Sequence, residues 1–476
     1  MINNLKKETL IYGFGRVLGS SISFLLFPFY THALQTTGEY GIVQIIIAFI
    51  AFANIIFLFG FDGALMKYYI SSNKAIKKKR YLSTAYIAVL GIASLLLLLL
   101  VFFRTELSLY LIAGQNSDII IKIGFILFFD ALRSIHLLIL RAENRPYNFT
   151  VLQIFDIMLL TGLNIYFVGF NNLGIDGVVQ SNLISSITIF IISFPIIFHR
   201  FSFNLISFDS LKILKSFAFP LMPAGLFWMI LEFADRKMLE FWVNENALHN
   251  VGIYGAGYKL GALMLLLVYA FNYAWRPYFL KENNMQSFKK VSTYVLFGLG
   301  FFYIVLVLYI DKIATYTLPI INTSLINSQY WEGLIIVPII ALSYIFHGSF
   351  ILQEASPFLD NKVYKISICR AVGVLINVIL NIILIPYYEA SFGLPYVGAA
   401  IATLIAYSLM SILLYIWNYS NHIYRYNLNL IAIIGVNILL SWYLFGTSSW
   451  FIKILFPLLY ILQFQYYMRC QKIILK

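Results

Sequence analysis

Charge is what this chain of 476 residues has least of. Asp, Glu, Lys and Arg together make up 11% of it, and acidic residues are outnumbered by basic ones, 20 against 33. A water-soluble domain needs roughly a quarter of its residues charged to cover its surface, so no soluble fold of this size fits. Cysteine is nearly absent as well. Cys369 and Cys470 are too few for a disulfide framework, and there is no Cys-x-x-Cys. The six histidines are scattered, with no His-Glu-x-x-His. No metal or cofactor is therefore expected, and no residue pattern points to catalysis. The net charge of +13 would suggest nucleic acid in a soluble protein. Here the basic residues lie mostly in short gaps between apolar runs, so no nucleic-acid partner is expected.

What the chain does have is hydrocarbon: 61% of its residues are hydrophobic, with a mean hydropathy of +0.84. Crossing a bilayer takes about 20 apolar residues in a helix. Turn residues and charges divide the sequence into about fourteen such runs, at about 10–33, 40–61, 81–103, 119–139, 148–168, 174–198, 216–241, 250–275, 291–310, 333–353, 364–386, 395–417, 428–446 and 450–468. They are numbered spans 1 to 14 below. The pattern is that of an all-α polytopic membrane protein. Span 1 follows Lys6 and Lys7 as a signal peptide would, but it continues through Arg16 and Pro28 and reads as a retained helix. No gap exceeds roughly 20 residues, which leaves no room for an extramembrane catalytic domain.

The Lys and Arg residues fix an orientation, because cytoplasmic loops collect them. Counting alternate gaps, 23 of the 33 fall in one set, including Lys77, Lys78, Lys79 and Arg80. Only Arg104 and Lys312 fall in the other. Both termini are thereby expected in the cytoplasm.

The sequence also repeats itself. Gly38-Glu39-Tyr40-Gly41 opens span 2 and Gly252-Ile253-Tyr254-Gly255 opens span 8, 214 apart by their tyrosines. Asn164 and Asn381 are 217 apart. Gly174-Ile175-Asp176-Gly177 opens span 6, and Gly393 through Gly398 opens span 12, at 219 rising to 221. Spans 1–6 and 7–12 then form two six-helix lobes, residues 1–210 and 211–420, with residues 421–476 adding two more helices. An even number of spans per copy makes the repeat parallel, the arrangement of transporters whose lobes rock about a central site.

Charges inside spans are costly, by about 2.5–3.5 kcal/mol at mid-membrane on insertion scales, and are usually functional or paired. The basic ones are Arg16, Arg133, Arg236, Lys259 and Arg370; the acidic ones include Asp130, Asp156, Glu232 and Asp235. Asp130 and Arg133, three apart, can neutralise each other. Arg236 and Arg370 can instead reach toward an interface. Arg16 and Lys259 have no opposite charge within four residues on their own helices. Each sits among glycines, Gly15/Gly19 and Gly257/Gly261, spaced for close helix packing. A cavity facing these cations would suit an anionic headgroup such as a phosphate or pyrophosphate. His347 falls 217 residues after Asp130, and a titratable group at equivalent points could serve proton coupling. Pro28, Pro220 and Pro223 mark expected helix breaks.

The duplicated six-helix halves, the Arg in span 1, Gly38-Glu39-Tyr40-Gly41, Ala234-Asp235-Arg236 and Val251-Gly252-Ile253-Tyr254 resemble polysaccharide exporters of the multidrug/oligosaccharidyl-lipid/polysaccharide superfamily. The likeness is nearest to Wzx-type O-antigen or capsule repeat-unit flippases and covers essentially the whole chain. It implies transport of undecaprenyl-pyrophosphate-linked oligosaccharide across the bacterial cytoplasmic (inner) membrane, without enzymatic activity, coupled to H+, Na+ or voltage. It also implies hand-over to glycan polymerase and chain-length machinery in lipopolysaccharide or capsule synthesis. By that resemblance Arg16 and Lys259 grip the pyrophosphate, and Asp235-Arg236 match an acidic-basic pair of the family. Arg133 and Arg370 join the cavity by charge and depth alone, and Asp130 and His347 are candidates for ion coupling or gating. Two rivals stand beside this reading: a cation-coupled drug antiporter of the same superfamily, and a membrane-embedded glycan polymerase or ligase.

Overall fold

The computed structural model describes residues 26–114, 116–282, 285–318, 323–360, 362, 364–419, 426 and 428–474. Almost all of them are helical, as expected of a chain that must satisfy its backbone hydrogen bonds without water. Among the described residues ten helices are long and apolar enough to cross a membrane. They match spans 2 to 6, 9 to 12 and 14. Span 8 is an eleventh, broken by a 44° bend between Ala247–Gly261 and Leu263–Asn272. Span 13 is the shorter apolar helix Asn429–Tyr443. Span 7 lies in the 35-residue helix Phe208–Trp242, whose second half carries Glu232, Asp235, Arg236, Lys237 and Glu240. Most of span 1, including Arg16, Gly15 and Gly19, lies outside the described residues.

The chain divides into two compact units, Met1–Lys237 and Met238–Lys476. Each repeats one packing pattern. In the first, span 4 (Asp118–Ala142) packs on span 2 (Thr37–Leu58), span 3 (Ala75–Phe102) and span 6 (Gly174–Phe198), and spans 5 and 6 pack together. In the second, span 10 packs on spans 8, 9 and 12, and spans 11 and 12 pack together. The repeat reaches individual atoms. Gly174 and Gly393 both turn the chain through the left-handed region, at φ 53° and 66°, where glycine avoids the Cβ clash. A Cβ on Gly177 would lie 3.2 Å from the backbone carbon of Phe167, and one on Gly398 would lie 2.4 Å from the carbonyl oxygen of Leu384. Phe167 and Leu384 are themselves 217 apart. Asn164 and Asn381 are both fully buried. Asn164 accepts a hydrogen bond from Tyr30 Oη at 2.8 Å, tying span 1 to span 5.

The motif opening span 2 has a local cause. Thr36 Oγ1 accepts from the Glu39 amide at 3.1 Å, and the Glu39 carboxylate accepts from the Gln35 amide at 3.0 Å. This reciprocal cap satisfies two of the donors that a helix start leaves open. The expected proline breaks in span 7 do not occur: Phe208–Trp242 runs as one helix through Pro220 and Pro223. The break lies in span 8, which contains no proline up to Asn272.

Several features have no periodic signature. The basic gap after span 2 holds a short helix, Phe61–Ser71, and Tyr69 on it donates to Glu143 at 2.9 Å. Glu143 also takes a forked pair of bonds from Arg200, both 2.7 Å. Burial pushes the Glu143 carboxyl up, but its bonds from Arg200 and Tyr69 and the charge of Arg145 hold it below the usual range. This cluster ties the ends of spans 4 and 6 to the short helix. Span 5 ends in a π-helix, Ile165–Phe170, and span 10 opens with a nine-residue 3₁₀ stretch, Ser328–Ile336. In the second unit, span 14 is fastened to span 9 at two levels. Lys453 Nζ meets both Asp311 oxygens at 2.8 and 3.0 Å, and Phe297 stacks on Tyr460 and Phe464 with centroids 4.4 and 3.8 Å apart.

Gly398→Ala should lower the thermal unfolding temperature in detergent more than Gly177→Ala, because only the first forces a Cβ onto a carbonyl oxygen. Overpacking of this kind costs about 1–3 kcal/mol. Equal, negligible effects would contradict the packing described.

Candidate functional site

The deepest charged cluster lies in the first unit. Asp130 and Arg133 share a face of span 4, Asp156 comes from span 5, and Ser185 and Ser186 come from span 6. Arg133 Nε donates to Asp130 Oδ1 at 2.8 Å, and its Nη1 donates to Asp156 Oδ2 at 2.6 Å. Ser186 Oγ donates to Asp130 Oδ1 and Ser185 Oγ to Asp156 Oδ1, both at 2.6 Å. One guanidinium thus serves two carboxylates, and the formal charge of the cluster is −1. The polar face continues one turn on at His136, fully buried between Ser193, 2.7 Å from Nδ1, and Tyr86, 3.3 Å from Nε2.

The second unit fills the equivalent place with aromatic rings. His347 is buried, with its ring centroid 5.1 Å from that of Tyr407. Tyr407 stands 221 residues after Ser186, so this contact is the counterpart of the Asp130–Ser186 bond. Tyr344 lies next to both rings and its hydroxyl is 2.7 Å from that of Tyr258. The two copies share geometry and differ in chemistry.

Lys259 is half-buried in the last turn of Ala247–Gly261, immediately before the bend of span 8. A cation is favoured at that end of a helix by the unpaired carbonyls. The neighbouring glycines serve packing. A Cβ on Gly257 would be 2.2 Å from the Gly333 carbonyl oxygen, and one on Gly261 would be 2.7 Å from Ile340. Two backbones therefore meet here, span 8 against the 3₁₀ start of span 10. A broken helix at membrane depth is tolerated where it lines a cavity or is covered by protein.

Asp235 and Arg236 are both buried in span 7. The Arg236 guanidinium donates to the Glu232 carbonyl at 2.9 Å and lies 5.1 Å from the Phe233 ring. Arg370 Nη2 donates to Glu354 at 2.8 Å, and Glu354 is itself buried. Of the residues the sequence singles out for a site, the structure joins Asp130 with Arg133. It sets Asp235 and Arg236 side by side on span 7 and places Lys259, His347 and Arg370 in the second unit. Arg16 lies outside the described residues. The sequence shows Asp156 as an acid in a span, but its partnership with Arg133 is a tertiary contact 23 residues away. Ser185, Ser186 and His136 carry no signal of their own in a polar-spotted helix. Among the described residues no three His, Cys, Asp or Glu side chains gather as metal ligands.

Comparison with known proteins places this geometry. A family model described as "Polysaccharide biosynthesis protein" matches residues 5–282. The chain belongs to the polysaccharide biosynthesis protein family. A comparison with curated proteins finds no match. Among solved structures, this family member is similar to the lipid II flippase MurJ in an inward closed conformation, at TM-score 0.70 and 19% identity, covering 96% of this chain and 100% of the other. It is also similar to an inward-facing multidrug resistance MATE family transporter of the MOP superfamily, at TM-score 0.63 and 13% identity over 83% and 94%. A MOP superfamily transporter from Pyrococcus furiosus aligns at TM-score 0.55 and 14% identity, over 87% and 95%. At these identities the likeness establishes the fold, which is that of transporters.

Replacing Arg133 by Met should destabilise the protein by about 3–5 kcal/mol, because two carboxylates lose their shared cation. Adding Asp130→Asn and Asp156→Asn should recover most of the loss. Thermal unfolding of the purified variants checks both; no recovery in the triple variant would contradict the charge account.

Proposed function

We propose that this family member is a flippase that carries undecaprenyl-pyrophosphate-linked oligosaccharide repeat units across the bacterial cytoplasmic membrane, with both termini in the cytoplasm, for O-antigen, capsule or other surface polysaccharide synthesis. The observation that carries the reading is a polysaccharide biosynthesis sequence on a fold matched over its full length by a protein named as a lipid II flippase. Two lobes, residues 1–210 and 211–420, rock about the substrate, and residues 421–476 add two spans. The glycan crosses in a polar cavity while its lipid tail stays in the bilayer.

Arg16 and Lys259 hold the pyrophosphate, with Arg236 and Arg370 adding positive potential. Arg133 has a more specific task. Its guanidinium is bound by Asp130 and Asp156, so a phosphate that draws it away leaves two carboxylates facing each other. Such a pair favours uptake of H+ or Na+. Substrate and coupling ion would thus compete for the same cluster, and Asp235 and His347 would gate it. An inside-negative potential helps export of an anion by about 2.3 kcal/mol per charge per 100 mV. The product would pass to glycan polymerase and chain-length machinery. A drug-antiporter reading draws on the likeness to MATE transporters.

In a deletion strain, Lys259→Ala should insert normally yet abolish surface glycan, with lipid-linked glycan accumulating on the cytoplasmic side. Lys259→Arg should retain part of the export, and drug efflux should be untouched. Normal surface glycan with both Arg16→Ala and Lys259→Ala would overturn the proposal.

A further inference from the structure

The second unit contains an apolar cavity of about 440 Å³. Four spans wall it, through Leu296 of span 9, Phe346 of span 10, Ile412 of span 12 and Ile438 of span 13. Close-packed interiors leave few voids larger than a water molecule, and an empty void costs stability in proportion to its volume. Water does not fill an apolar void, because it needs several polar partners there. In a protein solvated by lipid tails, the available filler is hydrocarbon.

Gly435 lines this cavity from the middle of Leu428–Tyr443. A Cβ built on it would meet no atom within 4 Å. Glycine weakens a helix relative to alanine, and no close approach demands it here. What it provides is room.

One end of the cavity is polar. The Gln353 amide donates to Ser349 Oγ at 3.1 Å and to Ser411 Oγ at 3.2 Å, and Ser349 Oγ lies 2.9 Å from the Tyr426 hydroxyl. Gln353 is fully buried, yet its Oε1 accepts no hydrogen bond. Asn418, also fully buried, donates to the Gln353 carbonyl at 3.1 Å, and its Oδ1 accepts none. Buried polar atoms are nearly always satisfied, so two open acceptors at the end of an apolar chamber call for a donor brought in by an occupant.

We propose that the cavity holds one acyl chain of a bilayer phospholipid with an aminoethyl headgroup, whose ammonium donates to Gln353 and Asn418. A chain methylene is close in volume to the roughly 30 Å³ share of a liquid water molecule, so the space takes about fifteen chain carbons. That suits a phospholipid acyl chain, whereas an undecaprenyl chain is several times longer. The site does not depend on what the protein transports.

The test uses the full-length protein, stripped of lipid in detergent and offered phosphatidylethanolamine, phosphatidylcholine or undecaprenyl phosphate, with bound lipid counted by native mass spectrometry. The wild type should retain one phosphatidylethanolamine at least about tenfold better than phosphatidylcholine, whose headgroup has no N–H. Gly435→Leu should lose that lipid without a lower unfolding temperature, because the new side chain occupies the space. Gln353→Leu should keep a lipid but lose the preference. The proposal is overturned if the wild type retains no more lipid than Gly435→Leu. Equal retention of the two phospholipids, or undecaprenyl phosphate taking the Gly435-sensitive place, would also overturn it.

Discussion

A guanidinium surrounded by hydrocarbon has no water to complete its hydrogen bonds, so its counter-charges must come from neighbouring helices. Arg133 finds two of them, and that excess shapes the first unit. Spans 4, 5 and 6 are held at one depth by Asp130, Asp156, Ser185 and Ser186 converging on one side chain. A neutral pair would be a finished structural joint. A cluster with one carboxylate too many is poised to take up a positive charge, which is what a coupled transporter needs at such a place.

The second unit keeps the architecture and abandons this chemistry. Span 10 packs against spans 8, 9 and 12 as span 4 packs against 2, 3 and 6. Yet His347, Tyr344 and Tyr407 stand where the first unit has Asp130 and its serine partner. Its irregular backbone is concentrated elsewhere, in the bend after Lys259 and in the 3₁₀ opening of span 10 that lies against Gly257. Duplication thus supplied two equal frames, one specialised around buried charge and the other around a broken helix that ends in a cation.

Much of this was legible in the sequence because the bilayer imposes a simple rule: apolar runs of sufficient length, with charges excluded to their ends. The span positions, the repeat through Gly174/Gly393 and Asn164/Asn381, and the i,i+3 pairing of Asp130 with Arg133 all follow from spacing. Spans 1 and 7 are where that rule gives least, the first falling largely outside the described residues and the second carrying five charges late in one helix. The expectation of proline breaks failed because a membrane helix can absorb Pro220 and Pro223 without losing its course. The actual bend in span 8 has no proline signal. The partners Asp156, Glu354 and Asp311 were visible as charges but not as pairs, since pairing between helices is decided by rotation and depth that periodicity does not encode. The helix Phe61–Ser71 was hidden in a basic gap, where charge marks a side of the membrane but not a conformation.

The central claim is that buried cations pass an acidic lipid headgroup between the leaflets. Reconstitution of the purified protein in liposomes, with undecaprenyl-pyrophosphate-linked oligosaccharide in one leaflet and enzymatic detection of its glycan in the other, tests it most directly. The account predicts protein-dependent translocation that accelerates when the potential drives anions toward the detecting side. Translocation no faster than in protein-free liposomes, with active exchange of cationic drugs in the same vesicles, would contradict it.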